Sequence, residues 1–111
     1  MSTNYLKQIK KEINYLRAHE ENDLEWYDEG IILLENNKLD EAEKKFKELI
    51  MSQPNAQDGY EGLALTYEKL DRKDKALYFI KEALNKAKQF LDQDTIDELY
   101  GPTFRRIQQM R

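Results

Sequence analysis

Apolar residues return along this chain with the period of a helix and are separated by short polar breaks. Tyr5, Leu6, Ile9, Ile13 and Leu16 fall within about a 100° arc, while Lys7, Lys10, Lys11 and Arg17 lie off it, which predicts a first helix over residues 3–21. Tyr15 points away from that stripe, so it is either exposed or touching something else. A second helix is expected over 23–36, ending at the Asn36-Asn37 pair, whose side chains suit a turn. Asp40 is placed to cap a third helix, with Glu43 as its capping-box partner, and that helix should end near Ser52, before Pro54. A fourth helix spans 56–70. A fifth starts behind Asp74 and, with no proline to stop it, should run on through Phe90 and Leu91. Leu77, Tyr78, Phe79 and Ile80 are consecutive, so this helix needs cover on more than one side. The tail, residues 94–110, reads as a last helix capped by Asp94. Its stripe is Ile96, Leu99, Tyr100, Phe104, Ile107 and Met110, with a kink or break expected at Gly101-Pro102.

Shifting the chain by 34 residues aligns these apolar patterns. Trp26 then meets Tyr60, Gly30 meets Ala64, Ile31 meets Leu65, Ala42 meets Ala76, and Phe46 meets Ile80. Charged positions such as Glu35 and Lys69 do not match, so the repeat is confined to residues expected to be buried. In spacing and residues it resembles the tetratricopeptide repeat. Trp26, Gly30, Ala42, Phe46 and Pro54 carry the first copy, and Leu63, Ala64, Tyr67 and Ala76 the second. The departures are Glu29 and Leu33 in the first copy, and Tyr60, Ile80 and Lys88 in the second. The resemblance implies an all-α fold, a short α-solenoid of two helical hairpins. A single domain is expected over 1–111, with an N-terminal helix (1–22), repeats at 23–56 and 57–90, and a C-terminal capping helix (91–111). The two flanking segments would cover the hydrophobic ends that a two-repeat stack leaves open. Gly30, Ala64, Ala42 and Ala76 would let paired helices approach closely, with Trp26 and Phe46 filling the space beside them.

Composition narrows the chemistry. With 36% charged and 40% apolar residues, the chain has the balance of a folded helical protein. It has no cysteine, which excludes disulfides, thiolate metal sites and thiol catalysis. The net charge of −4 argues against nucleic-acid binding, which needs clustered Lys and Arg, and Arg105, Arg106 and Arg111 make only a small basic end. The longest apolar run, Ile31–Leu34, is too short to span a membrane, and the first residues hold no apolar stretch of secretory-signal length. A cytoplasmic location is expected. The acidic run over 19–29 reads as a solvated helix start, with Asn22 or Asp23 as its cap. His19 is the single histidine and a poor metal ligand without partners. No nucleophile–base set or Gly-rich phosphate loop is present, so neither an enzyme nor a cofactor is expected.

In the resembled family, the first helix of each repeat lines a concave groove that holds peptides or partner helices. Carried to this chain, the groove is Leu24, Tyr27, Asp28, Ile31 and Leu34, followed by Asp58, Glu61, Gly62, Leu65 and Glu68. It is apolar in its first half and acidic in its second, which suits another protein or peptide with apolar anchors and basic flanks. The family members that grip chaperone carboxylates use Lys, Asn and Arg. Here Tyr27, Ile31 and Gly62 stand at the matching positions, so an anionic tail should be repelled. The alternative is a homo-oligomerisation module, such as a homodimer, whose groove is filled by its own C-terminal helix or by a second copy.

Overall fold

The chain reverses direction twice by the same local device. Asn37 and Asp71, 34 residues apart, adopt φ of 61° and 59°. Asn and Asp enter this left-handed region more readily than other side chains because they are short and hydrogen-bond locally. At each turn two amides reach back to carbonyls of the helix just ended. Lys38 N–H donates to Leu33 C=O (2.9 Å) and Asn37 N–H to Leu34 C=O (3.1 Å); Arg72 N–H donates to Tyr67 C=O (2.9 Å) and Asp71 N–H to Glu68 C=O (3.1 Å). This is the Schellman arrangement, which satisfies carbonyls that a helix end leaves open.

The structure is a computed structural model that describes residues 4–15 and 24–111, excepting the side chain of Leu24. The described residues form an all-α fold of six helices: α1 (Tyr5–Glu12), α2 (Leu24–Glu35), α3 (Leu39–Ser52), α4 (Asp58–Lys69), α5 (Lys73–Ala87) and α6 (Gln93–Gln108). None of them is long and apolar enough to cross a membrane. Consecutive helices from α2 to α6 pack on one another, and α4 also touches α2. The hairpins α2–α3 and α4–α5 therefore lie side by side.

Phe46 is the centre of the junction between them. Its fully buried ring lies against two glycines, Gly30 on α2 and Gly62 on α4. A Cβ on Gly30 would stand 2.5 Å from Phe46 Cε1, and one on Gly62 would overlap the same ring. Gly59 does similar service at the start of α4, where a Cβ would meet Ile50 Cγ1 at 2.7 Å and the Ile50 backbone nitrogen at 2.9 Å. The helix-propensity cost of a glycine, about 1 kcal/mol against Ala, is offset by burial of one Phe side chain at about 1.5–3 kcal/mol. Ala42, Ala64 and Ala76 are buried as well. A second aromatic cluster joins Tyr67 to Phe79 (5.7 Å between ring centroids) and Phe79 to Tyr5 of α1 (6.0 Å).

Several sequence expectations are corrected. Asp40 and Asp74 are not N-caps. The tight Asn37 and Asp71 turns start α3 and α5 earlier, so both acids fall inside the first turn, where they face the positive helix end. The α5 helix stops at Ala87 instead of reaching Leu91. Gln89 and Phe90 N–H groups bond back three residues, to Lys86 and Ala87 C=O, which tightens the last turn. The last helix begins two residues ahead of expectation because Asp92, with extended backbone, is its cap, accepting from Thr95 N–H at 2.8 Å. No break interrupts it at Gly101-Pro102. Pro102 frees the Glu98 carbonyl, and both residues are exposed, so solvent can satisfy that oxygen. Leu99, placed in the apolar stripe, is 58% exposed, while Ile96, Tyr100 and Ile107 are buried.

The described part of the N-terminal segment also differs. The α1 helix ends at Glu12, not 21, capped at its start by Asn4, which accepts from Lys7 N–H (3.0 Å). It lies across α3 and α5: Tyr5 meets the Tyr78 ring edge-on at 5.0 Å, and Glu12 pairs with Lys47 at 2.7 Å. It thus covers the seam between the two second helices, where it had been expected at a hairpin end. Tyr78 and Phe79 receive from it the extra cover their sequence required. Tyr15 is exposed and its hydroxyl donates to Glu48 at 3.0 Å. Leu16, His19, and the cap expected at Asn22 or Asp23 lie outside the described residues.

Candidate functional site

With α1 laid over α3 and α5, the face formed by α2 and α4 is on the other side of the hairpin pair. Each is the first helix of its hairpin, and this is where the groove was expected. The α2 sequence holds four acids and no cation, and α4 holds three acids with a single Lys at its last residue. Apolar and acidic side chains therefore share the surface.

Glu61 is the hub of that face. Its carboxylate accepts a hydrogen bond from the Tyr27 hydroxyl on α2 (3.3 Å) and another from the Tyr100 hydroxyl on α6. Burial pushes the Glu61 carboxyl above its ordinary pKa, the two tyrosine hydrogen bonds pull it back, and the neighbouring Asp58 carboxylate adds to the rise. Asp58 is itself raised by burial. Tyr27 and Tyr100 are both pushed well above the usual phenol range, first by burial and then by the carboxylates beside them. At neutral pH both phenols stay protonated and can only donate to Glu61. Two acids and two phenols thus converge from three helices.

The remaining groove positions divide by burial. Ile31 and Leu65 are half-buried and packed against the core, with part of each side chain outward. Tyr27 is half-buried and leans on Phe46, with ring centroids 6.1 Å apart. Asp28 is exposed. Leu34 is buried and belongs to the core, and Gly62 is the backbone floor beneath Phe46; neither is offered to a partner. The side chain of Leu24 lies outside the described residues. Glu68 is held from α6: Arg106 Nε donates to Oε2 at 2.9 Å and Nη2 to Oε1 at 3.0 Å, a two-point clasp.

Tyr100 and Arg106 are the two residues that sequence reasoning did not assign to the face. Tyr100 was counted as part of an apolar stripe, and Arg106 as part of a basic end. Helical phase places Tyr100 inward, but it does not say that its hydroxyl meets a carboxylate 39 positions earlier in the chain. Nothing in the spacing pairs Arg106 with Glu68.

Elsewhere, two open clefts of about 460 Å³ each lie at the hairpin turns, one lined by Tyr5, Arg72, Lys75 and Arg111 among others, the second by Lys38, Leu39 and Leu70. Lys75 spans the Tyr5 and Tyr67 rings at 5.8 and 5.2 Å, so its ammonium is engaged in cation–π contacts. Among the described residues, no group of three or more His, Asp or Glu side chains is arranged to hold a metal ion. No family model, curated protein or solved structure matches the chain.

Proposed function

We propose that this protein is a non-catalytic scaffold that holds a peptide or helix of another protein along the α2–α4 face, and that its hairpins are tetratricopeptide-like repeats. The observation that supports the reading is the union, on one face, of outward apolar surface at Ile31 and Leu65 with the carboxylates Asp28, Asp58 and Glu61. A partner with apolar anchors and flanking Lys or Arg complements both features. The charges would steer the encounter and fix its register, and the apolar anchors would supply most of the affinity. Affinity capture with wild type beside Tyr27→Ala and Leu65→Glu tests the reading. A partner lost from both variants, with helicity unchanged by circular dichroism, supports it. A partner retained by both removes this face from consideration.

A second reading rests on a different observation. Phe90, in the α5–α6 turn, is 67% exposed and Leu99 on α6 is 58% exposed. Apolar surface of this kind suits self-association. Light scattering across a dilution series distinguishes the two, since a dimer that survives dilution and is dissociated by Leu99→Lys supports the second.

A further inference from the structure

Glu68 is one of the acids on the face proposed above to receive a partner, and it is already occupied. The Arg106 guanidinium meets it through two hydrogen bonds of 2.9 and 3.0 Å, which is the fork geometry that carboxylates take from arginine. The side chain of Arg106 is 52% exposed and that of Glu68 is 22% exposed, so the clasp sits at the rim and not in the core. An arginine arriving from solvent can reach the same carboxylate. Glu61, about two helical turns earlier on α4, is likewise held from α6, by Tyr100. Tyr100 is buried and part of the packing, whereas Arg106 lies outside the buried set of α6, which is Ile96, Tyr100 and Ile107.

We propose that Arg106 is an internal stand-in for an arginine of the partner: in the free molecule it fills the Glu68 site, and a partner bearing arginine displaces it on binding to the α2–α4 face. The proposal rests on the scaffold reading above and names both the residue type recognised at Glu68 and the contact that must open. Arginine is favoured over lysine at this position because an ammonium makes one point contact where the guanidinium makes two. The exchange is close to balanced, one charge-assisted pair for another, so its effect on affinity is modest and depends on salt.

A fluorescein-labelled amphipathic helical peptide built from Leu, Ala and Arg is the probe, with Lys-for-Arg and Glu-for-Arg versions beside it. Fluorescence anisotropy at low salt measures Kd against the full chain. Wild type is expected to bind the Arg peptide better than the Lys peptide and not to bind the Glu peptide. Arg106→Gln should tighten the Arg peptide by about twofold to fivefold, which corresponds to an exposed ion pair of up to about 1 kcal/mol. Arg106→Lys should fall between, and Glu68→Gln combined with Arg106→Gln should show no gain. Thermal melts of each variant confirm the fold, and Arg106→Lys serves where Arg106→Gln proves unstable. Equal Kd for wild type and Arg106→Gln overturns the stand-in role and leaves the scaffold reading intact. A gain that persists in the double variant overturns it too, because the site is then not Glu68. Absence of binding by wild type and all variants overturns the inference and the reading together.

Discussion

Phe46 shows how much a single side chain can require of its neighbours. Its ring needs bare backbone on both flanking helices, and Gly30 and Gly62 provide it. Either Gly→Ala change should destabilise the fold by about 1–3 kcal/mol through overpacking. Urea unfolding checks this, and Phe46→Leu in the Gly62→Ala background should recover part of the loss; strict additivity of the two changes would show that ring and glycine do not compete for one space. Glu61 carries the opposite lesson. Its folded pKa is raised above the unfolded value, so the stability it contributes is present below the unfolded carboxyl pKa and is lost as pH rises through the folded one. At pH 7 the charge is therefore a liability to folding. Glu61→Gln should raise the melting temperature at neutral pH, by a stabilisation of no more than about 2 kcal/mol, and leave it unchanged in acid. A variant more stable yet weaker in partner capture would mark Glu61 as kept for binding. Tyr60 titrates by the same sign. Its hydroxyl donates to Pro54 C=O at 2.8 Å, and burial, with help from Glu82, pushes it up from 10.0 to about 12. Its stabilising contribution is whole below pH 10.0 and falls away as pH climbs to about 12. Each phenol that the fold keeps protonated costs about 1.4 kcal/mol per pH unit in that window. Denaturant melts from neutral to alkaline pH should show the decline, and a flat profile would refute it.

At the scale of the element, helix boundaries are decided by turns and caps more than by composition. Asn37 and Asp71 set the two hairpin turns by their backbone conformation, and the acids that looked like caps, Asp40 and Asp74, became first-turn residues as a consequence. Asp92 is the side chain that begins α6. The Thr95 backbone bond holds its carboxyl below the ordinary pKa, so the cap is whole above that ordinary value and is lost as pH falls through the lowered one. Asp92→Ala should fray the first turn of α6, seen as faster amide exchange at Thr95 and a lower melting temperature, whereas Asp92→Asn should keep most of the cap. Amide exchange unchanged at Thr95 in the Ala variant would mean that the hydrogen bond does not hold the helix start.

Over the whole molecule, the two flanking helices take different places. The α1 helix bridges α3 and α5 through Tyr5 and Glu12, while α6 packs on α5 and reaches across to α4 through Tyr100 and Arg106. Three buried residues of α6, Ile96, Tyr100 and Ile107, make it part of the core and not a removable lid. Cutting the chain before Asp92 should therefore abolish cooperative melting and raise dye binding to exposed apolar surface. A truncated chain that melts sharply at the original temperature would make α6 an appendage.

Much of this architecture is legible in the amino-acid sequence. Helical periodicity, the 34-residue offset, and the small residues at Gly30, Ala42, Ala64 and Ala76 are local or repeated signals, and a helix buries the same face wherever it lies. The candidate face was legible only in part. Tyr27, Ile31, Asp58, Glu61 and Leu65 were implied by the family resemblance, but the partners of Glu61 and Glu68 come from a helix some 38 residues away, and no periodicity encodes which side chains of two helices meet. Gly62 was misjudged as groove surface because its pairing with Phe46 is a contact between hairpins. Such contacts depend on how far and at what angle two helices approach, and those quantities exist only once the chain has packed.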